Sequence, residues 1–163
     1  MTKQFWIFLA VGLAVVGALV STVMVGTKSA HLELTGSVLK VRTVALNETA
    51  ALVMLDFRVT NPSGVPFVVS NVSLTVEPLS GDLLVGTIAS KSDVDNILRH
   101  QKLAGPKFND VLTLRDRVNP RETVDRMIAA RIEVPEAILE KRKTIRIKLE
   151  DVDGTVAEIV ERP

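Results

Sequence analysis

The chain has 163 residues, of which 47% are apolar, 24% are charged and 4% are aromatic, with 20 basic and 19 acidic side chains. This length allows one domain and an accessory segment. A formal net charge of +1 and the scarcity of aromatic side chains argue against a nucleic-acid-binding surface. The absence of cysteine excludes disulfides, thiolate nucleophiles and cysteine-bound metals.

The start of the chain is a predicted membrane anchor. Residues 5–26 carry no charged side chain and form one apolar run. As a helix rising about 1.5 Å per residue, this run spans roughly 33 Å, enough for the hydrocarbon core of a bilayer. Phe5 and Trp6 mark one end, where aromatic rings favour the headgroup boundary, and Gly26 marks the other. The lipid bilayer is therefore the first predicted partner.

A cleaved signal peptide is the alternative interpretation of this run. The apolar part of a signal peptide is about 7–15 residues long and precedes a small-x-small cleavage site. Here the run is longer, and cleavage before His31 would put Lys28 and Ala30 at the critical positions. We therefore predict an uncleaved, single-pass signal-anchor.

Basic residues leave the orientation of this anchor open. Lys3 and the terminal amine favour a cytoplasmic N-terminus. Lys28, Lys40 and Arg42 follow the apolar run and would favour the opposite orientation. Counting basic residues therefore does not decide which side of the membrane holds the rest of the chain.

Residues 1–4 form a short tail before the anchor, and residues 27–33 form a polar tether after it. The predicted domain consists of residues 34–163. Apolar and polar residues alternate in several segments, which is typical of strands with one face in a core. Turn sequences, such as Asn61-Pro62 and Asp153-Gly154, separate them. The pattern predicts an antiparallel sandwich of about seven strands rather than a parallel α/β fold. Strands are expected near residues 39–41, 55–60, 72–77, 112–114, 124–134, 144–150 and 155–161.

One short helix is expected to interrupt the strands. Ser90 or Ser92 can cap its start, and Val94, Ile97 and Leu98 form an apolar stripe at helical spacing. Proline at a first helical position predicts a further helical turn after residue 135.

Residues 99–110 form a long connection after this helix. Long loops on sandwiches often carry binding functions, so we predict a partner-binding loop here. Its candidate contact residues are His100, Lys102, Lys107 and Phe108.

Charged segments elsewhere have two interpretations. The densest basic segment, 141–148, could attract anionic lipid headgroups, but its alternation with apolar residues favours an ordinary solvated strand face. Arg115, Asp116 and Arg117 are likewise expected to be paired charges at the surface.

Residues 53–77, VMLDFRVTNPSGVPFVVSNVSLTVE, resemble the signature of the late-embryogenesis-abundant group 2 domain, also called the water-stress and hypersensitive-response domain. Asn61 and Pro62 stand where that family has an Asn-Pro pair between two strands. The resemblance implies an immunoglobulin- or fibronectin-type sandwich without enzymatic activity, associated with desiccation stress. Bacterial membrane-anchored relatives imply a cytoplasmic N-terminus and an extracytoplasmic domain. The helix and loop at 90–110 depart from the family pattern.

The Asn61-Pro62 pair also has a physical interpretation of its own. Pro62 fixes its own φ and keeps Asn61 out of the helical region. The asparagine amide can then bond nearby backbone groups and close the end of a strand. The residues therefore predict a structural role for this pair rather than ligand binding.

No catalytic motif is visible in the sequence. His31 and His100 are the only histidines, and the chain has no nucleophile elbow, no HExxH sequence and no glycine-rich phosphate loop. We predict a protein that is not an enzyme and has no cofactor and no metal site. The predicted function is a membrane-anchored module for interaction or stress protection in the cell envelope. The alternative is an accessory subunit of an envelope assembly or lipid-transport system, holding a protein partner or an acyl chain between its sheets.

Overall fold

The computed structural model of the protein describes residues 3–27, 33–101 and 104–161. Within these ranges the helices are α1 (Lys3–Thr27), α2 (Lys91–His100) and α3 (Glu136–Glu140). The strands there are β1 (Thr35–Ala45), β2 (Ala51–Thr60), β3 (Phe67–Pro78), β4 (Leu84–Ile88), β5 (Asp110–Val111), β6 (Arg117–Val118), β7 (Thr123–Ile132), β8 (Arg142–Asp151) and β9 (Val156–Val160).

The strands form two antiparallel layers that share β4. The first layer has the order β1-β2-β7, and the second has the order β3-β8-β9. The start of β4 pairs with β3, whereas Thr87 and Ile88 at its end pair with β7. The resulting strand order is β1-β2-β7-β4-β3-β8-β9. In an immunoglobulin domain one sheet has the strand order A-B-E-D and the other contains C, F and G. The order here matches this arrangement, with β4 as strand D and as the strand that joins the two layers. The predicted immunoglobulin-like sandwich is therefore confirmed.

The main core lies between the two layers. It is built from the inward-facing residues of paired strands, as the period-two alternation predicts. Burying each large apolar side chain fully contributes about 1.5–3 kcal/mol. Its largest fully buried members are Leu55, Phe57, Leu74, Ile128, Ile132, Leu139, Ile145, Ile147 and Leu149.

A second core covers the outer face of the first layer. Every residue of β2 from Ala51 to Phe57 is buried, so this strand is covered on both sides. Leu52 and Met54 point away from the main core and pack with Val94 of α2 and with Val111. The helix and the loop after it therefore form the outer cover of the first layer.

α2 begins as the sequence predicts, and α3 begins one residue later than predicted. The Ser90 hydroxyl accepts a hydrogen bond from the Asp93 amide at 3.2 Å and caps α2. Pro135 precedes α3 at its N-cap position.

The prediction of a middle strand at 112–114 is wrong. β5 ends at Val111 and pairs in parallel with β7, whereas β6 pairs with β3 in the other layer. The segment between them crosses from one layer to the other, which interrupts regular pairing. Leu112 lies in the main core, but Leu114 is exposed.

The sandwich has two ends, which the strand register defines. Thr35, the first residue of β1, pairs with Thr60, and Thr60 pairs with Thr123. The end at which β1 begins, here named the tether end, therefore holds the loops at 61–66, 113–122 and 152–155. The opposite end, named the far end, holds the loops and helical turn at 46–50, 79–83 and 133–141.

The crossing of β4 between layers generates a stability prediction at Gly86. A Cβ at this position would lie 2.8 Å from the Ala130 Cβ and 3.3 Å from the Leu74 Cδ2. Gly86→Ala should lower the free energy of unfolding by about 1–3 kcal/mol, because a packed core cannot take an extra methyl group without a backbone shift.

Gly64→Ala is the matched control, because nothing lies within 4 Å of a Cβ there. Its free energy of unfolding should stay within about 0.5 kcal/mol of the wild type. Denaturation of the full chain in detergent, followed by far-ultraviolet circular dichroism, measures both. Equal losses in the two variants would contradict the assigned layer crossing.

Candidate functional site

The outer face of the first layer carries a buried ion pair. Arg42 on β1 places its Nη2 atom 2.9 Å from the Asp56 Oδ2 atom on β2, and their side chains are only 10% and 3% exposed. The side-chain Nδ2 atom of Asn109 donates to the Asp56 Oδ1 atom at 2.9 Å. Both carboxylate oxygens of Asp56 are therefore hydrogen-bonded. A buried charge is strongly destabilising unless it is paired and hydrogen-bonded in this way.

The same arginine holds the loop between α2 and β5. Its Nη1 atom donates to the Ala104 carbonyl at 2.7 Å and to the Pro106 carbonyl at 2.9 Å. Its Nε atom is buried and has no hydrogen-bond partner in the part of the chain that the structure describes. The guanidinium is thus oriented toward Asp56 and the loop carbonyls, and it fixes the loop against the sheet.

Phe108 lies over this arginine. The ring centroid is 5.0 Å from the Arg42 guanidinium carbon and 4.3 Å from the Lys40 Nζ atom, which are cation–π distances. The ring remains 51% exposed. Leu39, which precedes Lys40 at a β-bulge in β1, is also exposed. We name the exposed residues Leu39, Lys40 and Phe108 the Phe108 platform.

The other predicted loop residues have separate environments. The Lys107 Nζ atom lies 3.3 Å from the Asp95 carboxylate and 3.5 Å from that of Asp110, so Lys107 joins the loop to α2. His100 is exposed, and its Nδ1 atom lies 2.8 Å from the Asn96 carbonyl of its own helix. Lys102 lies outside the described residues.

Sequence reasoning missed the residues that position the loop. The sequence pattern indicates Arg42 only as a charge near the anchor and Asn109 only as part of the 99–110 connection. It predicts that Asp56, a polar position of an alternating strand, faces water, which is wrong because Asp56 is buried. The available signal was Asp56, an isolated carboxylate after the continuous apolar run at 51–55. A strand with two buried faces requires a partner for such a charge.

An apolar groove of about 410 Å³ opens at the layer crossing of β4. Its apolar walls include Leu112, which belongs to the main core, and Val72 and Ile88, which pack against that core. Asn71 and Lys91 lie among its polar lining residues. The groove is therefore a surface opening with an apolar floor at the edge of the main core.

The Asn61 side chain organises the tether end. Its Nδ2 atom donates to the Val65 carbonyl at 2.8 Å and to the Val118 carbonyl at 3.0 Å. Its Oδ1 atom accepts from the Ser63 amide at 3.0 Å and from the Ser63 hydroxyl at 2.7 Å. Asn61 is buried and Pro62 is half-buried, so this pair joins two loops and presents no ligand-binding surface.

The basic segment 141–148 is a paired strand face. Arg142 makes two bonds to Glu161 at 2.7 and 2.9 Å, which neutralises a charge at the far end. Lys143 lies 3.2 Å from Glu77, and Arg146 lies 3.5 Å from Glu158. These contacts fit the favoured interpretation of a solvated strand face.

The predicted surface pairing at 115–117 is found for Asp116, whereas Arg115 and Arg117 make no ion pair within the described residues. The Asp116 carboxylate accepts hydrogen bonds from the Thr113 hydroxyl at 2.6 Å and the Thr113 amide at 3.1 Å. It also lies 3.8 Å from Arg126. The carboxylate closes a turn with the residue three positions earlier, so it is directed away from its two neighbours.

Among the described residues, shifted pKa values occur at the pair of Arg58 and Asp125. Arg58 donates hydrogen bonds of 2.7 and 2.8 Å to Asp125, and these bonds hold the pKa of Asp125 below its ordinary value and raise the pKa of Arg58. This exposed pair links β2 to β7 and has a structural role. No group of three or more His, Asp or Glu side chains that could hold a metal occurs among the described residues.

No protein-family model and no curated protein matches the chain. Among solved structures, it is similar to an uncharacterized beta-sandwich protein from Clostridium difficile 630, with 8% identity and a TM-score of 0.42 over 81% of this chain and 87% of that one. It is also similar to the archaellum periplasmic stator protein FlaG from Sulfolobus acidocaldarius, with 12% identity and a TM-score of 0.36 over 78% of this chain and 98% of that one. Similarity at this level carries no information about function.

The buried ion pair generates a prediction that a double-mutant cycle can test. Arg42→Met leaves the Asp56 carboxylate buried without its cation, so the free energy of unfolding should fall by about 3–5 kcal/mol. The double variant Arg42→Met/Asp56→Leu removes both charges and should recover most of this loss, because a buried ion pair is often replaceable by apolar residues.

Chemical denaturation of the single and double variants measures this coupling. Arg131→Met is the control, because Arg131 makes an exposed pair with Glu133, and it should change stability by less than about 1 kcal/mol. If Arg42→Met were no more damaging than this control, the ion pair would not hold the loop.

Proposed function

We propose that the protein is a non-catalytic interaction module, held at a membrane by α1, that binds a protein partner through the Phe108 platform. The segment Gln4–Thr22 of α1 is long and apolar enough to cross a bilayer and is not buried within the protein. The domain after it is an immunoglobulin-like sandwich, an architecture that commonly carries binding loops.

One observation carries the proposal, namely an exposed aromatic ring on a loop that a buried ion pair fixes. Arg42 bonds the loop carbonyls and Asp56 and also lies against Phe108. A loop fixed before binding loses little conformational entropy on association. Aromatic residues in such positions supply a large share of the binding energy at protein interfaces.

The charges around the ring indicate the chemistry of the partner. Lys40 lies over the ring, whereas Lys107 is already paired with Asp95 and Asp110. A complementary surface would combine apolar side chains for Phe108 and Leu39 with carboxylates for Lys40. We therefore propose an acidic and apolar protein surface as the partner.

The cellular location is part of the proposal. A cytoplasmic N-terminus with an extracytoplasmic domain follows from the resemblance to the late-embryogenesis-abundant group 2 domain. The stress-protection role that this resemblance implies remains a prediction. Protection of a drying-sensitive reporter enzyme by the full chain in vesicles would support it.

The proposed partner site predicts a position-specific crosslink. A photocrosslinking residue in place of Leu39 should give one discrete protein adduct in native membranes, because this position is an exposed part of the platform. Phe108→Ala should reduce the adduct at least about tenfold, as expected for an aromatic residue that dominates an interface.

Ile138→Ala is the matched control, because Ile138 is an exposed apolar residue at the far end. The adduct should remain in this variant. No adduct in the wild type, or equal losses in both variants, would contradict the proposed interface.

The groove favours a second candidate function, binding of an acyl chain as part of a lipid-transport system. Its volume of about 410 Å³ lies in the usual range of small-molecule sites, and its apolar floor lies at the edge of the main core. This function predicts co-purification of a lipid with the detergent-extracted full chain. Ile88→Trp should fill the groove and remove that lipid.

Leu83→Trp is the control for this substitution, because Leu83 is exposed at the far end and does not line the groove. Mass spectrometry of the purified chains measures bound lipid. A wild-type protein that carries no lipid, or carries as much after Ile88→Trp, would contradict the second function.

A further inference from the structure

We propose that the tether end of the sandwich binds the anionic headgroups of the bilayer that α1 spans, through Arg115, Arg117 and Arg121. This inference rests on the membrane anchoring proposed above. It adds a second membrane contact, made by the domain itself.

The length of the tether brings this end of the domain close to the membrane. α1 ends at Thr27 and β1 begins at Thr35. Even a fully extended chain between these residues reaches at most about 28 Å. The start of β1, at the tether end, therefore lies within about 28 Å of the end of α1. A strand of ten residues is about 33 Å long, so the far end can lie well beyond that distance from α1.

Backbone contacts place the three arginines at the tether end. The Arg121 amide donates to the Asn61 carbonyl at 2.9 Å, next to Thr60, which pairs with the first residue of β1. Arg117 pairs with Val68 at the start of β3. The Arg115 amide donates to the Val69 carbonyl at 2.8 Å. Asn61 thus connects the loop that carries Arg121 to the start of the domain.

The guanidinium groups of these arginines are available for binding. All three residues are exposed, and their side chains make no hydrogen bond or ion pair to another residue within 3–27, 33–101 and 104–161. Glu33, two residues before β1, is an exposed acidic side chain at the same end. Five other acidic side chains there are engaged within the protein, namely Asp116 with Arg126, Asp125 with Arg58, Glu122 with the Asn119 amide, Asp151 with the Val68 amide, and Asp153.

Two of the three arginines have an unusual backbone conformation. Arg115 has φ of 70° and Arg121 has φ of 62°, and no other non-glycine residue in the described part of the chain has a positive φ. Glycine or asparagine adopts this conformation more readily than arginine. Strained residues cluster at ligand-binding sites, and here both of them carry exposed guanidinium groups.

Exposed apolar side chains flank these arginines. Leu114 precedes Arg115. Val152 lies in the turn between β8 and β9, and its backbone amide donates to the Val68 carbonyl at 3.0 Å. Both side chains are at least 60% exposed. Basic groups with adjacent apolar side chains are typical of surfaces that bind anionic lipid headgroups.

The absence of cysteine in the chain allows single-site labelling. Val152→Cys with an environment-sensitive dye reports contact of the tether end with lipid, and Leu83→Cys reports the far end. The full chain is placed in nanodiscs of phosphatidylcholine, with or without phosphatidylglycerol, that contain a lipid-bound quencher. Phosphatidylglycerol should raise the ratio of contacting to free domains at position 152 about tenfold or more, and high salt should reverse this rise.

The triple variant Arg115→Asn/Arg117→Asn/Arg121→Asn tests the named residues. Asparagine tolerates positive φ, so the backbone should persist, and circular dichroism melting checks this. The effect of phosphatidylglycerol should disappear. Removal of three positive charges at the far end, Arg131→Asn/Lys141→Asn/Lys143→Asn, should leave the effect unchanged.

Equal quenching in neutral and anionic discs would overturn the proposal, as would equal losses in the two triple variants. A protein that fails to migrate with the discs would instead overturn the membrane anchoring itself and this inference with it. Co-migration without dependence on anionic lipid would leave the anchor intact and contradict only the arginine contact.

Discussion

The ion pair of Arg42 and Asp56 is the interaction on which the outer side of the molecule depends. A carboxylate at the centre of a strand with two buried faces is strongly destabilising unless it is fully bonded. Arg42 and Asn109 provide these bonds, and Asn109 belongs to the loop that covers the strand. Folding of the sheet and placement of the loop therefore depend on one another. The position of Phe108 follows from this arrangement, because its ring lies on the same arginine.

The two ends of the sandwich differ in how they use charge. At the far end, Arg142 and Lys143 are paired with carboxylates of the domain. At the tether end, Asp116, Glu122, Asp125 and Asp151 bind backbone amides or other arginines, and exposed guanidinium groups remain. Asn61 joins the loops of this end, so the Asn-Pro pair supports a surface without being part of it. A motif can therefore mark a fold while the function lies in loops that differ between proteins.

Much of the fold was predictable, because alternation in segments such as 72–77 and 144–150 reports directly which face is buried. The cap at Ser90 and the helical turn after Pro135 were visible for similar local reasons. The crossing at 112–114 was not predictable from the sequence. Leu112 enters the core and Leu114 is exposed because the chain changes layers between them, and two apolar residues do not reveal such a change. The loop was predictable as a candidate site through Phe108, but its fixation depends on Arg42, 66 residues earlier in the chain, and only tertiary structure brings such residues together.

Native-state hydrogen exchange of the full chain tests the coupling of loop and sheet most directly. The backbone amide of Ala104 donates to the Gln101 carbonyl, and that of Leu112 donates to the Met127 carbonyl. These two amides mark the two ends of the segment that Arg42 and Asn109 fix to the sheet. If this segment folds as one unit with the sheet, these two amides should exchange with the same free energy and denaturant dependence as the amides of β7. Exchange of both amides through local opening, several kcal/mol below the value for β7, would show that the loop is a separate and weakly held element.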